Sequence, residues 1–226
     1  MTSRPPIKLD HTVRIDTTPE LRAPANDNWR ARRELAAALR RLNLAAMTAD
    51  APTAQLDALT RELNEEAARI EAHPHIAGRW GFIERDADLS ADEPQADLVY
   101  EMSAAIGQSN AIALPMHIWS DGTTVHGEVT ATWAHEGPLG HVHGGIIALL
   151  FDQFLGMAQR SVTDGGRTGT LSIRFHQPTP LNQPLNMRAA VTRIEGRKKF
   201  IGAELWAGEV HTASCEGIFI ADRKTD

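Results

Sequence analysis

His141-Val142-His143-Gly144-Gly145-Ile146-Ile147-Ala148-Leu149-Leu150-Phe151-Asp152-Gln153-Phe154-Leu155-Gly156-Met157-Ala158 reads as a helix that is apolar almost all round. Such a helix is buried on most sides. Asp152 sits in its middle, and its helical neighbours at i−7, i−4 and i+4 are Gly145, Ala148 and Gly156. The carboxylate therefore lies on a stripe of small residues, where a backbone or a ligand can approach closely. An unpaired carboxylate in an apolar setting costs several kcal/mol or has its pKa pushed up. Two readings stay open: Asp152 belongs to a site, or it faces solvent together with Gln159 on the same stripe.

His143-Gly144-Gly145 opens this helix. Two glycines there cost about 1 kcal/mol each if helical. They make sense where first-turn amides, which have no intrahelical partner, must stand bare beside a ligand. Such amides suit a carbonyl oxygen that gains negative charge. A plain glycine-rich entry to a helix is the alternative. His143 and Asp152 are nine residues apart, roughly 13 Å at the helical rise. They cannot serve one reacting atom within a single chain, so a shared site calls for a two-fold dimer.

Outward from the helix, strand-like runs appear at 111–120, 124–132, 168–177, 185–194, 199–207 and 210–220, with turn chemistry between them. One long helix with a mostly antiparallel sheet is an α+β arrangement, the sheet wrapped around the helix. Upstream, Leu35, Leu39 and Leu42 form one amphipathic stripe. Leu56, Leu59, Leu63, Ala67 and Ile70 form another. Both stripes are too narrow for a core of their own. The expected organisation is a flexible arm over 1–28, a helical hairpin extension over 29–78, a linker over 79–108 with an acidic loop at 86–97, and the main domain over 109–226.

The chain has 226 residues and a net charge of −6, which argues against nucleic acid as a partner. Lys and Arg are absent from 87–159, whereas Arg160 to Phe200 holds eight against two acids. A phosphorylated ligand would look there for cations, chiefly to Arg174 and to Arg197, Lys198 and Lys199. The alternative is a solvated strand face. No run is long enough for a membrane span, and Met1 to Asp16 lacks the apolar core of a secretory signal. The single cysteine, Cys215, excludes a disulfide framework and reads as a packed residue in a reducing, cytoplasmic setting. The histidines are scattered, so no metal site is expected. His141, beside the helix start, is a candidate for lining a site. Trp119 and Trp133, each placed at the end of a strand, wall a ligand channel or pack the core.

Glu136 to Gly145, with Asp152 nine residues after His143, resembles the hotdog acyl-CoA thioesterases of the phenylacetate-pathway branch. The resemblance is strongest to the subgroup of the mammalian thioesterase superfamily members acting on long-chain acyl-CoA. Thr168, Arg174 to Leu181 and Ile194 to Phe200 match the same subgroup. The resemblance covers about half the chain. It implies a hotdog fold, a homodimer or dimer of dimers, and hydrolysis of acyl-CoA to free acid and coenzyme A. Asp152 would be general base or nucleophile, with Thr168 orienting the water or the carboxylate. Gly144 N–H, helped by His143, would hold the thioester oxygen, with Gly145 and His141 beside the substrate. No cofactor is implied, because coenzyme A is part of the substrate. Some relatives carry Asn six residues before the histidine where this chain has Gly137. A non-catalytic acyl-CoA-binding regulator on the same fold is the alternative function; a hotdog dehydratase ranks below it, since Asp152 is mid-helix.

Overall fold

The computed structural model describes residues 24–76, 78–86, 98–122, 124–160 and 165–221. The expected arm over 1–28 falls largely outside these residues, as does nearly all of the acidic loop. Helices α1 (Asp27–Thr48), α2 (Thr53–Glu71), α3 (Gly78–Asp86) and α4 (Leu98–Glu101) come first. Strands β1 (His117–Ser120) and β2 (Val125–Thr130) lead through a 3₁₀ turn, Trp133–His135, into α5 (Gly144–Arg160). Strands β3 (Gly166–Phe175), β4 (Pro184–Glu195), β5 (Lys198–Ala207) and β6 (Val210–Ala221) follow.

The six strands form one antiparallel sheet in the order β1-β2-β4-β5-β6-β3. Helix α5 connects β2 to the far edge strand β3, so the chain crosses the sheet through it. This is the hotdog arrangement. The helix buries Ile147, Leu150, Phe151, Phe154 and Leu155. Against it stand inward residues of the strands, among them Leu185, Met187, Ile201, Ala203, Leu205, Ala213 and Phe219. Two glycines make the close approach possible. A Cβ at Gly127 would lie 2.9 Å from the Phe154 ring, and one at Gly217 would lie 2.9 Å from Leu155 Cδ1.

Three expectations change. The first strand begins at His117, not Ala111, because residues 102–114 fold as turns that bury Ala105, Ile106, Ala113 and Leu114. The stretch 79–108 thus holds two helices and part of the core. Trp133 stands in the 3₁₀ turn, 43 % exposed, and ends no strand. Helix α1 is bolted to the fold. Its Trp29 packs with Ile83 and Leu98. Arg33 pairs with the buried Glu101, and Arg40 donates to the carbonyls of Gln108 and Asn110. Helix α2 buries no residue.

Candidate functional site

The site elements gather at the two ends of β3. At its start, Thr168 Oγ1 donates to Asp152 Oδ1 at 2.7 Å. The pairing of β3 with β6 slips between Thr168 and Thr170, so Gly169 is the extra residue of a bulge. A bulge re-aims the side chain next to it. A Cβ at Gly169 would lie 3.1 Å from Ile220 Cδ1 and 3.2 Å from the Ile218 carbonyl, so the bulge packs tightly on β6. Asp152 is half-buried and Thr168 exposed. The carboxylate is not enclosed within one chain. The strand that holds it through Thr168, β3, is the last strand of the sheet.

At the other end of β3 lies a cleft of about 420 Å³ lined by Val142, Gly144, Ile147, Phe175, His176 and Thr179, with Pro138, His141, Gln177 and Pro178 at its margins. The first turn of α5 meets this cleft, and its amides divide unequally. Gly145 N–H donates to His143 Nδ1 at 2.9 Å. Ile146 and Ile147 N–H donate to the His143 carbonyl. Among the described residues, only the Gly144 N–H of this turn makes no hydrogen bond. The expectation of Gly145 as a ligand-binding amide is therefore corrected: its N–H is taken up by the imidazole. A neutral His143 that accepts at Nδ1 carries its proton on Nε2. His143 then carries an Nε2–H donor in addition to the Gly144 N–H.

A bracket behind His143 fixes this geometry. His143 N–H donates to the His135 carbonyl at 2.9 Å. His135 closes its own turn by accepting at Nδ1 from the Thr132 N–H at 3.1 Å. Burial lowers the His135 pKa below its ordinary value, against the opposing effect of the Thr132 hydrogen bond. Glu136 Oε1 accepts from the Gly140 N–H, and Gly140 adopts φ +76°, where glycine is favoured. A Cβ at Gly137 would lie 2.6 Å from His143 Cα. That contact explains why no asparagine stands at Gly137: the backbone of His143 fills the space.

The basic residues do not act as one group. Arg174 is on β3 at the cleft end, exposed, opposite Ser214. Arg197 and Lys198 lie in the β4–β5 hairpin beside Ile220 and Ala221, the Asp152 end, and Arg197 donates to the Ala221 carbonyl. Lys199 overturns the expectation of a phosphate contact. It is 4 % exposed, and its ammonium points to Gln159 Oε1 and the Gly165 carbonyl. Strand alternation is the cause: Lys199 shares the inward phase of Ile201, Ala203 and Leu205. His141 lines the cleft, its Nδ1 held by the Leu139 carbonyl. Cys215 is buried, with its thiol pushed up to about 11 chiefly by burial. It is a packed residue. Among the described residues no group of three or more His, Cys, Asp or Glu is placed to hold a metal. No helix among them is long and apolar enough to cross a membrane.

Sequence reasoning missed the roles of His135, Gly169 and Phe175 to Thr179. The last five were legible as a motif, but their place beside the helix start was not.

Comparisons with known proteins bear on the family and the fold. A family model described as "Thioesterase superfamily" matches residues 139–214. A curated acyl-coenzyme A thioesterase, THEM4 of Xenopus laevis, is 34 % identical over 70 residues, 31 % of this chain and 32 % of the relative. The matched region thus spans about a third of that relative's length. A crystal structure of a thioesterase superfamily protein is 29 % identical, with a TM-score of 0.70 over 96 % of this chain and 100 % of the other. That likeness includes the N-terminal helices as well as the sheet. Residues 139–214 thus match the thioesterase superfamily, and the chain has a hotdog fold.

Proposed function

We propose that the protein hydrolyses acyl-coenzyme A thioesters at a site shared between two copies. One observation carries the reading: the acid and the bare amide stand at opposite ends of the same unpaired strand edge. Antiparallel pairing of β3 with the β3 of a second copy, about Leu171, lays Thr168 of one beside Arg174 and Phe175 of the other. Asp152 of one copy then faces the Gly144 cleft of its mate, twice by symmetry. The exposure of Thr168 and Phe175 along that edge supports the pairing.

In this site Asp152 takes a proton from water held with Thr168, and the water oxygen bonds to the thioester carbon. The carbonyl oxygen becomes an oxyanion held by Gly144 N–H and His143 Nε2–H. The C–S bond then breaks, the acid is released, and the thiolate takes up a proton to give coenzyme A. Direct attack by the Asp152 carboxylate is the other route, and ¹⁸O from solvent appearing in the protein carboxylate after a single turnover would identify it. Arg197 and Lys198, at the Asp152 end, and Arg174, at the cleft end, come together across this edge and are the cations offered to the nucleotide phosphates.

The test is complementation. Asp152→Asn and Gly144→Val are each expected to be inactive toward an acyl-CoA panel from short to long and aromatic chains. Co-refolded together, they regain roughly a quarter of wild-type activity, since half the dimers are mixed and each has one intact site. No recovery would sink the shared site. Tight acyl-CoA binding by wild type with no thiol release would instead make the protein a binding regulator.

A further inference from the structure

Helices α1 and α2 are a mismatch within one chain. Helix α1 keeps one face on the fold through Trp29 and Ala36, and leaves Leu35 (54 %), Leu39 (39 %) and Met47 (59 %) exposed. Helix α2 leaves Leu56 (41 %), Leu63 (41 %) and Ile70 (65 %) exposed and buries nothing. Helices of this length draw most of their stability from packing an apolar face. Among the described residues, neither apolar stripe is covered within its own chain.

The connection explains why. Ala49 is extended at φ −91°, ψ 134°, and Pro52 at φ −58°, ψ 141°. Both ends of the four-residue link hold the chain open, and the proline fixes one of them. The link carries α2 away from α1 where a tight turn would have folded it back. Charge names the occupant. Helix α1 has five arginines and two acids, a net +3; helix α2 has five acids and two arginines, a net −3. Arg33 and Arg40 are held by the home fold, and the remaining charge and the apolar stripe of each helix complement those of the other.

We infer that α2 of one copy packs on the exposed stripe of α1 of a second copy, so that the N-terminal helices are exchanged between chains. An extended proline-bearing link and an element unsupported at home are the conditions for such exchange. The inference uses nothing of the chemistry at Asp152.

The test uses the full chain. Leu39 and Leu63 stand at the middle of their stripes, so either direction of packing brings them together. The double variant Leu39→Cys, Leu63→Cys changes only surface positions, and buried Cys215 stays silent. Under mild oxidation it is expected to run as a covalent dimer on a non-reducing gel. Linkage should be at least about fivefold faster than in the control Leu39→Cys, Arg61→Cys, whose second cysteine is off the stripe. A disulfide closed within one chain would overturn the inference, as would free thiols or linkage no faster than the control. Adding Asp152→Asn should leave the linkage unchanged, which separates this result from the fate of the proposed hydrolysis.

Discussion

The two ends of β3 do opposite jobs with opposite materials. The Thr168 end is polar and open: an acid on a helix flank, a hydroxyl aimed by a bulge, and cations on the next hairpin. The Phe175 end is apolar and walled: a phenylalanine ring, two prolines, and one bare amide at a helix start. Among the described residues the acid is held by Thr168 at one end and the bare Gly144 amide stands at the other. On the proposed reading, an edge strand stores half a site at each tip and leaves its completion to symmetry.

The sharpest way to break this contrast is to remove the acid. Asp152→Asn is expected to lower kcat by about 10² to 10⁴, the usual scale for a general base, measured as thiol release from acyl-CoA. An unchanged rate would assign the chemistry elsewhere. The next largest effect falls on its partner. Thr168→Ala removes a hydrogen bond to a charged group, on the order of 1.5 kcal/mol or about tenfold in kcat. Gly169→Val should lower kcat similarly with Thr168 intact, because the bulge cannot accept the branched side chain beside Ile218 and Ile220. Equal loss of KM and kcat in both variants would point to general loosening of β3.

At the cleft end the bracket behind His143 offers a smaller test. His135→Ala should cost about 1 kcal/mol of stability, as a lost cap does, while His135→Asn keeps an acceptor at the Nδ1 position and most of that stability. The pH dependence follows in sign. Burial makes His135 harder to protonate in the folded protein than in the unfolded chain. The folded state therefore binds fewer protons near this group. Its contribution to stability is present above the ordinary histidine pKa of about 6.5 and is lost as pH falls below it. Thermal melts of wild type and His135→Asn should converge as pH is lowered from neutrality. Parallel curves would show that His135 is not the group responsible. Smallest of all is the effect on activity of Cys215→Ala, expected within twofold. The native thiol, with its pKa near 11, should resist alkylation until the protein unfolds.

Much of this arrangement was legible in advance, for reasons that differ by region. Helix α5 declared itself through its apolar run and small-residue stripe, because burial on most sides leaves a compositional trace. Asp152, Thr168 and Gly144 could be picked out through a combination of local oddity and family resemblance. Lys199 could have been placed correctly too: counting its phase from Ile201 shows it pointing inward. Leu39 and Leu63 advertised an apolar face, yet nothing local says that the link at Ala49 to Pro52 stays open.

By itself the sequence determined where α1, α2, α5 and most of the strands form, and which side of each is apolar. Those follow from periods of 3.6 and 2 that any local stretch carries. Only the tertiary structure decided that Gly145 is occupied by His143, that Gly137 must lack a side chain, and that the acid and the amide end up at opposite tips of one free edge. The first two turn on how the loop before α5 folds on itself, and the last joins residues far apart along the chain. No local pattern encodes them, because they exist only once the sheet has closed over α5.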